Sequence, residues 1–308
     1  MINRLKSEIK KGVIGHDDLI DSMLIALFSD GHILLEGVPG VAKTTAVNSL
    51  AKAIGFDFKR VQFTPDLLPS DIIGNEILDL KTNEYKIKHG PIFTNLLLAD
   101  EINRSSPKVQ SALLEAMAEE QVTIAQSSFK LPKPFMVLAT ANPIDQEGTY
   151  ELPEASLDRF MLKVLVGYNS FEEELQIMEL SANKSYANIN RVLNKDEFEN
   201  IKKEIESVHL DDAIKRYILQ IIFASRNPSS NLAKYIDFGA SPRGSIALYK
   251  ASRAISYIEG KDFVTPASVA KAAYLTLRHR IHLSYQAVVD NINSDYIIEQ
   301  ILHEVPAP

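Results

Sequence analysis

Short apolar segments alternate with stretches of helical periodicity through the first 170 residues of the chain. Most of these segments are continuous apolar runs, which is typical of strands buried on both faces of a parallel sheet. The helical stretches between them would cover the two faces. The pattern therefore predicts a three-layer α/β domain whose five-stranded, mostly parallel sheet is built from residues 33–35, 58–63, 96–101, 135–141 and 162–166.

Two shorter pairs of alternating segments lie between these strands. Each pair flanks a short polar turn, which is typical of a β-hairpin. We therefore expect two hairpin inserts in the α/β domain, at about residues 76–89 and 121–132.

The pattern changes after Gly167, where helical periodicity continues and no further strand-like run follows. Residues 227–239 are polar and irregular, as in a surface loop. Ser241-Pro242 and Thr265-Pro266 have the N-cap and first-turn proline of a helix start. The sequence predicts an α/β domain over residues 1–168 and an all-α domain over residues 169–308.

A glycine-containing turn follows the first predicted strand: Glu36-Gly37-Val38-Pro39-Gly40-Val41-Ala42-Lys43-Thr44-Thr45. A helical segment comes next, and this order is the context of a P-loop. The backbone N–H groups of such a turn and the helix N-terminus favour a polyphosphate. We predict that Gly37 through Thr45 bind phosphates, that Lys43 reaches the β- and γ-phosphates and that Thr44 binds Mg²⁺. An ordinary Gly/Pro turn is the alternative.

One residue departs from the general P-loop pattern, because Ala42 stands where glycine is expected. If this position needs a left-handed backbone, alanine costs ~1–2 kcal/mol relative to glycine. We expect the loop to tolerate Ala42.

Two acids, Asp100 and Glu101, end the third predicted strand. An acid in this place beside a P-loop strand can hold Mg²⁺ through a water molecule, which we expect of Asp100. Glu101 would orient and deprotonate a water that attacks the γ-phosphate. Because no acceptor-binding motif is visible, the pair favours hydrolysis over phosphoryl transfer. A solvated acidic strand end is the alternative.

Asn142 ends the fourth predicted strand. Its neutral amide could hydrogen-bond the γ-phosphate or the attacking water. Asn before Pro is also a common turn starter, so the signal depends on its context.

Two arginines are further candidates. Arg159 could form a surface ion pair with Asp158, or it could be an arginine finger that reaches the γ-phosphate of a neighbouring subunit. Arg243 follows the N-cap Ser241 in the first turn of a helix, where the helix dipole disfavours a cation. That position suits an arginine directed at an anion, and a solvent-facing side chain is the alternative.

The composition and net charge exclude several classes of protein and of binding site. The 308 residues, 45% apolar and 24% charged, suit a globular protein with one large and one smaller domain. A net charge of −7 gives no overall attraction to nucleic acid or anionic membrane. The absence of cysteine excludes disulfides and thiolate metal sites. With neither a signal-peptide pattern nor an apolar run of membrane-spanning length, we expect a soluble, cytoplasmic protein.

Eight ordered motifs can be read along the chain, at residues 34–44, 62–71, 90–93, 98–104, 110–117, 146–150, 157–160 and 239–243. Together they resemble the AAA+ ATPases, and specifically the MoxR family of the helix-2-insert clade, which includes the magnesium chelatase motor subunits. The resemblance covers about residues 13–281, nearly the whole chain.

The resemblance assigns the candidates to named motifs: Lys43 and Thr44 to Walker A, Asp100 and Glu101 to Walker B, Asn142 to sensor 1, Arg159 to the trans arginine finger and Arg243 to sensor 2. It implies that Val13, Ile14 and Gly15 line the adenine pocket. The two hairpins correspond to the helix-2 insert and the pre-sensor-1 hairpin. His16 and Ala141 both stand where the family usually has Gln.

The resemblance implies a ring oligomer, usually a hexamer in this family, with ATP bound at the interfaces between subunits. The resemblance implies Mg²⁺-dependent hydrolysis of ATP to ADP and phosphate. It also implies a chaperone-like role in maturing, remodelling or inserting metal into a client protein, often with a von Willebrand factor A domain protein as partner.

Two other classes of protein are compatible with a P-loop. A nucleic-acid motor or helicase loader of the same clade is the main alternative, but the net charge of −7 and the lack of a basic, aromatic-bearing strand argue against it. A nucleotide-gated binding module without hydrolysis fits less well, because the Asp100-Glu101 pair is intact.

Overall fold

A computed structural model of the chain describes residues 1–38, 42–81, 83–142, 149–183 and 188–308. The helices are α1 (Ile2–Lys10), α2 (Asp17–Phe28), α3 (Lys43–Ile54), α4 (Pro69–Ile73), α5 (Pro107–Glu119), α6 (Glu154–Leu157), α7 (Phe171–Asn183), α8 (Lys195–Ser207), α9 (Asp212–Arg226), α10 (Pro242–Ile258), α11 (Pro266–Leu277), α12 (Tyr285–Val289) and α13 (Ser294–Glu304). The strands are β1 (Ile33–Gly37), β2 (Phe58–Gln62), β3 (Gly74–Asp79), β4 (Glu84–His89), β5 (Leu96–Asp100), β6 (Gln121–Ile124), β7 (Ser127–Lys130), β8 (Met136–Ala141), β9 (Leu162–Val166), β10 (Ile236–Phe238) and β11 (His282–Leu283).

The predicted five-stranded parallel sheet is confirmed, and its strand order is β2-β5-β8-β1-β9. The central strands β1, β5 and β8 are almost wholly apolar and buried, as expected of strands covered on both faces. Helix α3 follows β1 and packs against β2 and β5. The sheet and its helices form the predicted α/β fold.

The register of the sheet determines which residues meet at its carboxyl edge. Glu36 of β1 pairs with Ala141 of β8, and Gln62 of β2 pairs with Asp100 of β5. Because all four strands run in the same direction, the residues that follow them emerge at one edge, where ligands of α/β sheets bind.

Two antiparallel hairpins accompany the sheet. Strand β3 pairs with β4, and β6 pairs with β7. The ring of His89 contacts those of Phe93 and Phe129, with centroids 4.0 and 5.2 Å away. This aromatic cluster joins the base of the first hairpin to the second.

The chain divides into two compact units. Unit 1 comprises Met1–Met23, His32–Leu152 and Val164–Phe198, and unit 2 comprises Leu24–Gly31, Pro153–Lys163 and Glu199–Pro308. Within unit 2, helices α9, α10, α11 and α13 pack together. The sequence-based domain boundary at residue 168 stays a prediction.

The expectation that no strand follows residue 167 is wrong in one detail. Strand β10 lies inside the predicted loop of residues 227–239 and pairs with β11 in antiparallel register. Strands of two or three residues are too short to produce a recognisable alternation of apolar and polar side chains. The predicted helix starts at Ser241 and Thr265 are confirmed, since each hydroxyl accepts a hydrogen bond from an N–H of the first turn.

No helix in the described ranges combines the length and the hydrophobicity that a membrane span requires.

Gly37 ends β1 where the backbone of β9 comes close. A Cβ atom built on Gly37 would lie 2.1 Å from the carbonyl oxygen of Val166 and 3.0 Å from its carbonyl carbon. Backbone atoms cannot move aside as a flexible side chain can, so the strands at this point require glycine.

We predict that Gly37→Ala lowers the free energy of unfolding by ~1–3 kcal/mol, as overpacking does. Thermal unfolding without nucleotide would then show a melting temperature lower by about 2–4 °C for each kcal/mol. Gly167→Ala is the matched control, because a Cβ there meets nothing within 4 Å. Equal melting temperatures for the two variants would contradict the prediction.

Candidate active site

A cavity of about 340 Å³ lies at the carboxyl edge of the sheet in unit 1. Neighbouring strands and the start of α3 contribute its lining: Gly37, Ala42, Lys43, Thr44, Thr45, Arg60, Gln62, Asp100, Glu101, Thr140, Ala141 and Asn142. The structure thus gathers residues from the P-loop, the acidic pair and the predicted end of the fourth strand around one space.

Ala42 is the N-cap residue of α3 and has a left-handed backbone, with φ 52° and ψ 17°. Its methyl group cannot accept a hydrogen bond, so it leaves the first N–H groups of α3 without a side-chain cap. Uncapped N–H groups at a helix N-terminus suit an anion. Pro39, Gly40 and Val41 of the predicted loop lie outside the described residues, and Val38 directly follows β1.

Lys43 begins α3 and turns its side chain back toward β1. Its Nζ donates a hydrogen bond of 2.6 Å to the carbonyl oxygen of Gly37. Burial lowers the pKa of the Lys43 amine, while the charges of Asp100, Glu36 and Glu101 oppose that shift. A bound polyphosphate would add negative charge beside the amine and favour its charged form.

Both carboxylate oxygens of Asp100 accept hydrogen bonds. The hydroxyl of Thr140 donates to Oδ1 at 2.6 Å. Arg60 donates to Oδ2 through Nε at 3.0 Å and through Nη2 at 2.6 Å. The acid at the end of β5 is therefore oriented by one side chain from each neighbouring strand.

Glu101 follows β5 in a left-handed conformation, with φ 57° and ψ 50°. Its backbone N–H donates to Thr140 Oγ1 at 2.8 Å, and its Oε2 accepts a bond of 2.6 Å from Gln62 Nε2. Arg104 Nη1 lies 3.3 Å from the same oxygen. A non-glycine residue at positive φ is uncommon and often marks a functional site. These contacts hold the Glu101 carboxylate beside the cavity.

Asn142 follows β8 and lines the cavity next to the two acids. Its backbone carbonyl accepts a hydrogen bond of 3.3 Å from Asn103 Nδ2. The position is compatible with the predicted contact to phosphate or water, which stays a prediction.

Sequence reasoning missed three residues that orient the acids: Arg60, Gln62 and Thr140. Arg60 and Gln62 are two residues apart on β2 and are linked to each other, with Arg60 Nη2 3.0 Å from Gln62 Oε1. Their i, i+2 spacing on a strand was a usable signal. The sequence did not show that β2 lies beside β5, so nothing connected these side chains with Asp100.

The segment predicted to line an adenine pocket lies in unit 1. Val13 is buried, and Gly15 has a positive φ of 68°. The side chain of Asn169 connects two neighbouring residues, because its Nδ2 donates to the carbonyl of Ile14 at 3.0 Å and its Oδ1 lies 2.8 Å from His16 Nε2. His16 thus has a partner in the fold. None of these residues lines the cavity described above, and their adenine contact stays a prediction.

The two candidate arginines belong to unit 2. Arg159 lies between α6 and β9. Arg243 lies in the first turn of α10, as predicted, with its Nη1 3.5 Å from Asp158 Oδ2 and its side chain 60% exposed. Asp158 also pairs with Arg280. The roles of Arg159 and Arg243 toward a nucleotide stay predictions.

The oxygen donors at the cavity fit Mg²⁺. Thr44 supplies a hydroxyl and Asp100 a carboxylate, which are hard ligands of the kind that Mg²⁺ prefers. Among the described residues there is no cluster of three or more His, Cys, Asp or Glu side chains that could enclose a metal ion. Mg²⁺ at nucleotide sites commonly uses one or two protein ligands together with water and phosphates, so the donor set agrees with that use.

Comparisons with known proteins agree with this geometry. A model of the "ATPase family associated with various cellular activities (AAA)" matches residues 32–162, and a model of the "AAA lid domain" matches residues 229–301. The uncharacterized protein YeaC of Bacillus subtilis is 45% identical over 100% of this chain and 95% of its own. Chaperone MoxR1 of Mycobacterium tuberculosis is 41% identical over 100% of this chain and 82% of its own.

A solved crystal structure from Cytophaga hutchinsonii superposes with a TM-score of 0.94 at 44% identity and covers 100% of this chain and 94% of its own. The sheet, the family models and the helical lid define an AAA+ ATPase. Similarity over nearly the full chain to proteins named MoxR identifies the family within the AAA+ ATPases. The chain belongs to the MoxR family of AAA+ ATPases, and the predicted family is confirmed.

The left-handed backbone of Ala42 leads to a prediction about the P-loop. Because glycine adopts positive φ without a Cβ penalty, Ala42→Gly should bind ATP as the wild type does and should not lower the melting temperature. Ala42→Val is the contrasting variant, since a β-branched residue at positive φ is strongly disfavoured. Nucleotide titration and thermal unfolding test both, and loss of ATP binding in Ala42→Gly would show that the loop depends on alanine.

Proposed function

We propose that this ATPase uses Mg²⁺ and works in a ring oligomer, a hexamer by analogy with its family. Hydrolysis would drive chaperone-like maturation, remodelling or metal insertion of a client protein. The observation that carries the proposal is that Lys43, Thr44, Asp100, Glu101 and Asn142 line one cavity. In this scheme residues 1–168 are the nucleotide-binding core and residues 169–308 the lid.

Phosphate binding in this proposal falls to the start of α3. Its uncapped N–H groups and the Lys43 amine hold the β- and γ-phosphates. Thr44 would bind Mg²⁺ directly and Asp100 through a water molecule. The metal would supply charge to offset the triphosphate.

Glu101 acts as the general base. Its carboxylate takes a proton from a water whose oxygen bonds to the γ-phosphorus, while the bond to the β-phosphate bridging oxygen breaks and ADP leaves. Gln62 and Arg104 restrict the Glu101 side chain through contacts of 2.6 and 3.3 Å. Asn142 orients the water or the γ-phosphate.

The remaining site residues complete the scheme. Val13, Ile14 and Gly15 would line the adenine. Arg243 would contact the nucleotide of its own subunit, and Arg159 the γ-phosphate of the neighbouring subunit. A shared site of this kind makes ring assembly a requirement for turnover.

The proposed client role rests on relatives rather than on a surface of this chain. A relative that is 41% identical over the full chain is named a chaperone. We propose that this protein acts in the cytoplasm on a protein client, with a von Willebrand factor A domain protein as partner, by analogy with the family.

The proposed role of Glu101 leads to a prediction about hydrolysis. Glu101→Gln keeps the size of the side chain but cannot accept the proton, so we expect ATP binding to persist and the rate of phosphate release to fall by about tenfold or more. Glu115→Gln, which removes an exposed carboxylate of α5, is the control and should behave as wild type. Equal turnover by Glu101→Gln and wild type would exclude Glu101 as the base.

The proposed role of Arg159 leads to a prediction about action between subunits. We expect Arg159→Ala to keep its affinity for ATP and to lose turnover by a large factor, on the order of 10³ where such fingers act. Lys43→Ala subunits retain Arg159 but cannot hydrolyse ATP themselves. In an equal mixture about a quarter of ring interfaces would combine an intact P-loop with an intact Arg159, so the mixture should recover measurable ATPase activity. Inactivity of the mixture would argue against action in trans.

A further inference from the structure

Arg280 is a buried cation that the proposed mechanism does not use. It lies just beyond the end of α11 in unit 2, and its side chain is only 2% exposed. Its guanidinium donates to five acceptors: Asp158 Oδ1 at 2.8 Å, Asp158 O at 3.0 Å, Phe160 O at 2.6 Å, Met161 O at 3.0 Å and Thr276 O at 2.5 Å. Burial lowers the pKa of Arg280, and the bond to Asp158 opposes that shift. All but one of these contacts go to a single short segment, residues 158–161.

The two residues before Arg280 bind the same region. His279 is buried, and its Nε2 donates to the carbonyl of Phe160 at 2.9 Å. Burial, followed by the charge of Arg280, holds the pKa of His279 well below its usual range, so the ring is a neutral donor. Arg278 Nη1 donates to the carbonyl of Lys163 at 3.3 Å. We call residues 278–280 the carbonyl anchor.

The segment that the carbonyl anchor holds carries Arg159. The bonded carbonyls belong to residues on both sides of it: Asp158, Phe160, Met161 and Lys163. The backbone on either side of Arg159 is therefore fixed to the end of α11.

The carboxylate of Asp158 extends this connection to α10. Its Oδ1 pairs with Arg280, while its Oδ2 accepts from the hydroxyl of Ser241 at 2.9 Å and lies 3.5 Å from Arg243 Nη1. Ser241 is the N-cap of α10. One carboxylate thus joins the Arg159 segment both to the start of α10, which carries Arg243, and to Arg280 of the carbonyl anchor.

The two arginines contact Asp158 with different strength. The Arg280 bond is short and buried, whereas the Arg243 contact is longer and its side chain is 60% exposed. An exposed ion pair contributes little, while a buried one is costly to break. Arg243 can therefore leave Asp158 for another anion without releasing the Arg159 segment.

We propose that Asp158 and Arg280 are positioning residues for Arg159. They hold its backbone in a fixed place relative to α10 and α11, so that Arg159 and Arg243 are carried by one rigid body. This inference rests on the proposed role of Arg159 as a finger. Displacement of a catalytic group by about 1 Å can cost on the order of 10²-fold in rate, which is why a finger on a loop needs such support.

The test uses Asp158→Asn in the full-length protein. The amide keeps the shape of the side chain and removes the charge that pairs with Arg280. Glu259→Gln is the matched control, because Glu259 is also a carboxylate of unit 2 with two cationic partners, Lys261 and Lys271. Steady-state ATPase kinetics, nucleotide affinity and melting temperature are measured for both variants.

We expect kcat of Asp158→Asn to fall by about tenfold or more, with nucleotide affinity unchanged and Glu259→Gln like wild type. Mixing with Lys43→Ala subunits should restore activity, since those subunits supply a correctly held Arg159. In an Arg159→Ala background, Asp158→Asn should cause no further loss, because Asp158 acts through Arg159. A purely structural role would give neither rescue nor this non-additivity.

Arg280→Lys provides an independent variant in case Asp158→Asn fails to fold. It keeps the positive charge beside Asp158 but cannot bind several carbonyls at once, so it should show the same loss of kcat and the same rescue. If Arg159→Ala is slow while both variants turn over like Glu259→Gln, the positioning role is overturned and the finger stands. If Arg159→Ala itself turns over normally, the finger and its positioning both fail.

Discussion

The hydroxyl of Thr140 is the interaction on which the candidate active site depends. It donates to Asp100 Oδ1 and accepts from the N–H of Glu101, so one buried side chain of β8 orients the carboxylate of Asp100 at the end of β5 and fixes the backbone of Glu101, which follows it. This requires β5 and β8 to be neighbours in parallel register, with Ala99 opposite Ala139. A shift by one residue would turn every side chain of a strand to the other face. The buried apolar strands, which resist such a shift, therefore determine the geometry of the acids.

Two residues beside the sheet are held in strained backbone conformations. Ala42 and Glu101 both have positive φ, in the region that disfavours side chains with a Cβ. Each conformation persists because the surrounding structure determines it: Ala42 is followed at once by α3, and Glu101 is bonded to Thr140 and Gln62. Residues in strained backbone conformations cluster at functional sites, and both of these residues line the cavity at the carboxyl edge of the sheet. Arg159 has a comparable support in unit 2, where the carbonyl anchor binds the chain on both sides of it.

Much of the fold and part of the site could be predicted from the sequence. Whether a given residue could be located depended on how far apart in the chain its partners lie. Lys43 and Thr44 belong to a local motif whose strand and helix are neighbours in sequence, so pattern alone located them. The five strands were recognisable because continuous apolar runs report burial directly. Gln62 was missed because its importance comes from pairing opposite Asp100, 38 positions later along the chain. Strands β10 and β11 were missed because two or three residues carry no periodicity.

By itself the sequence determined the class of fold, the position of the P-loop and the position of the two acids, because each is encoded in a contiguous stretch of chain. Only the tertiary structure decided which side chains hold those acids and which hold Arg159. Strand order placed Thr140 and Gln62 beside Asp100 and Glu101, and helix packing in unit 2 placed Arg280 against Asp158. The physical reason is that hydrogen bonds and ion pairs depend on distance in space. Residues 39 to 122 positions apart leave no local pattern from which those distances could be read.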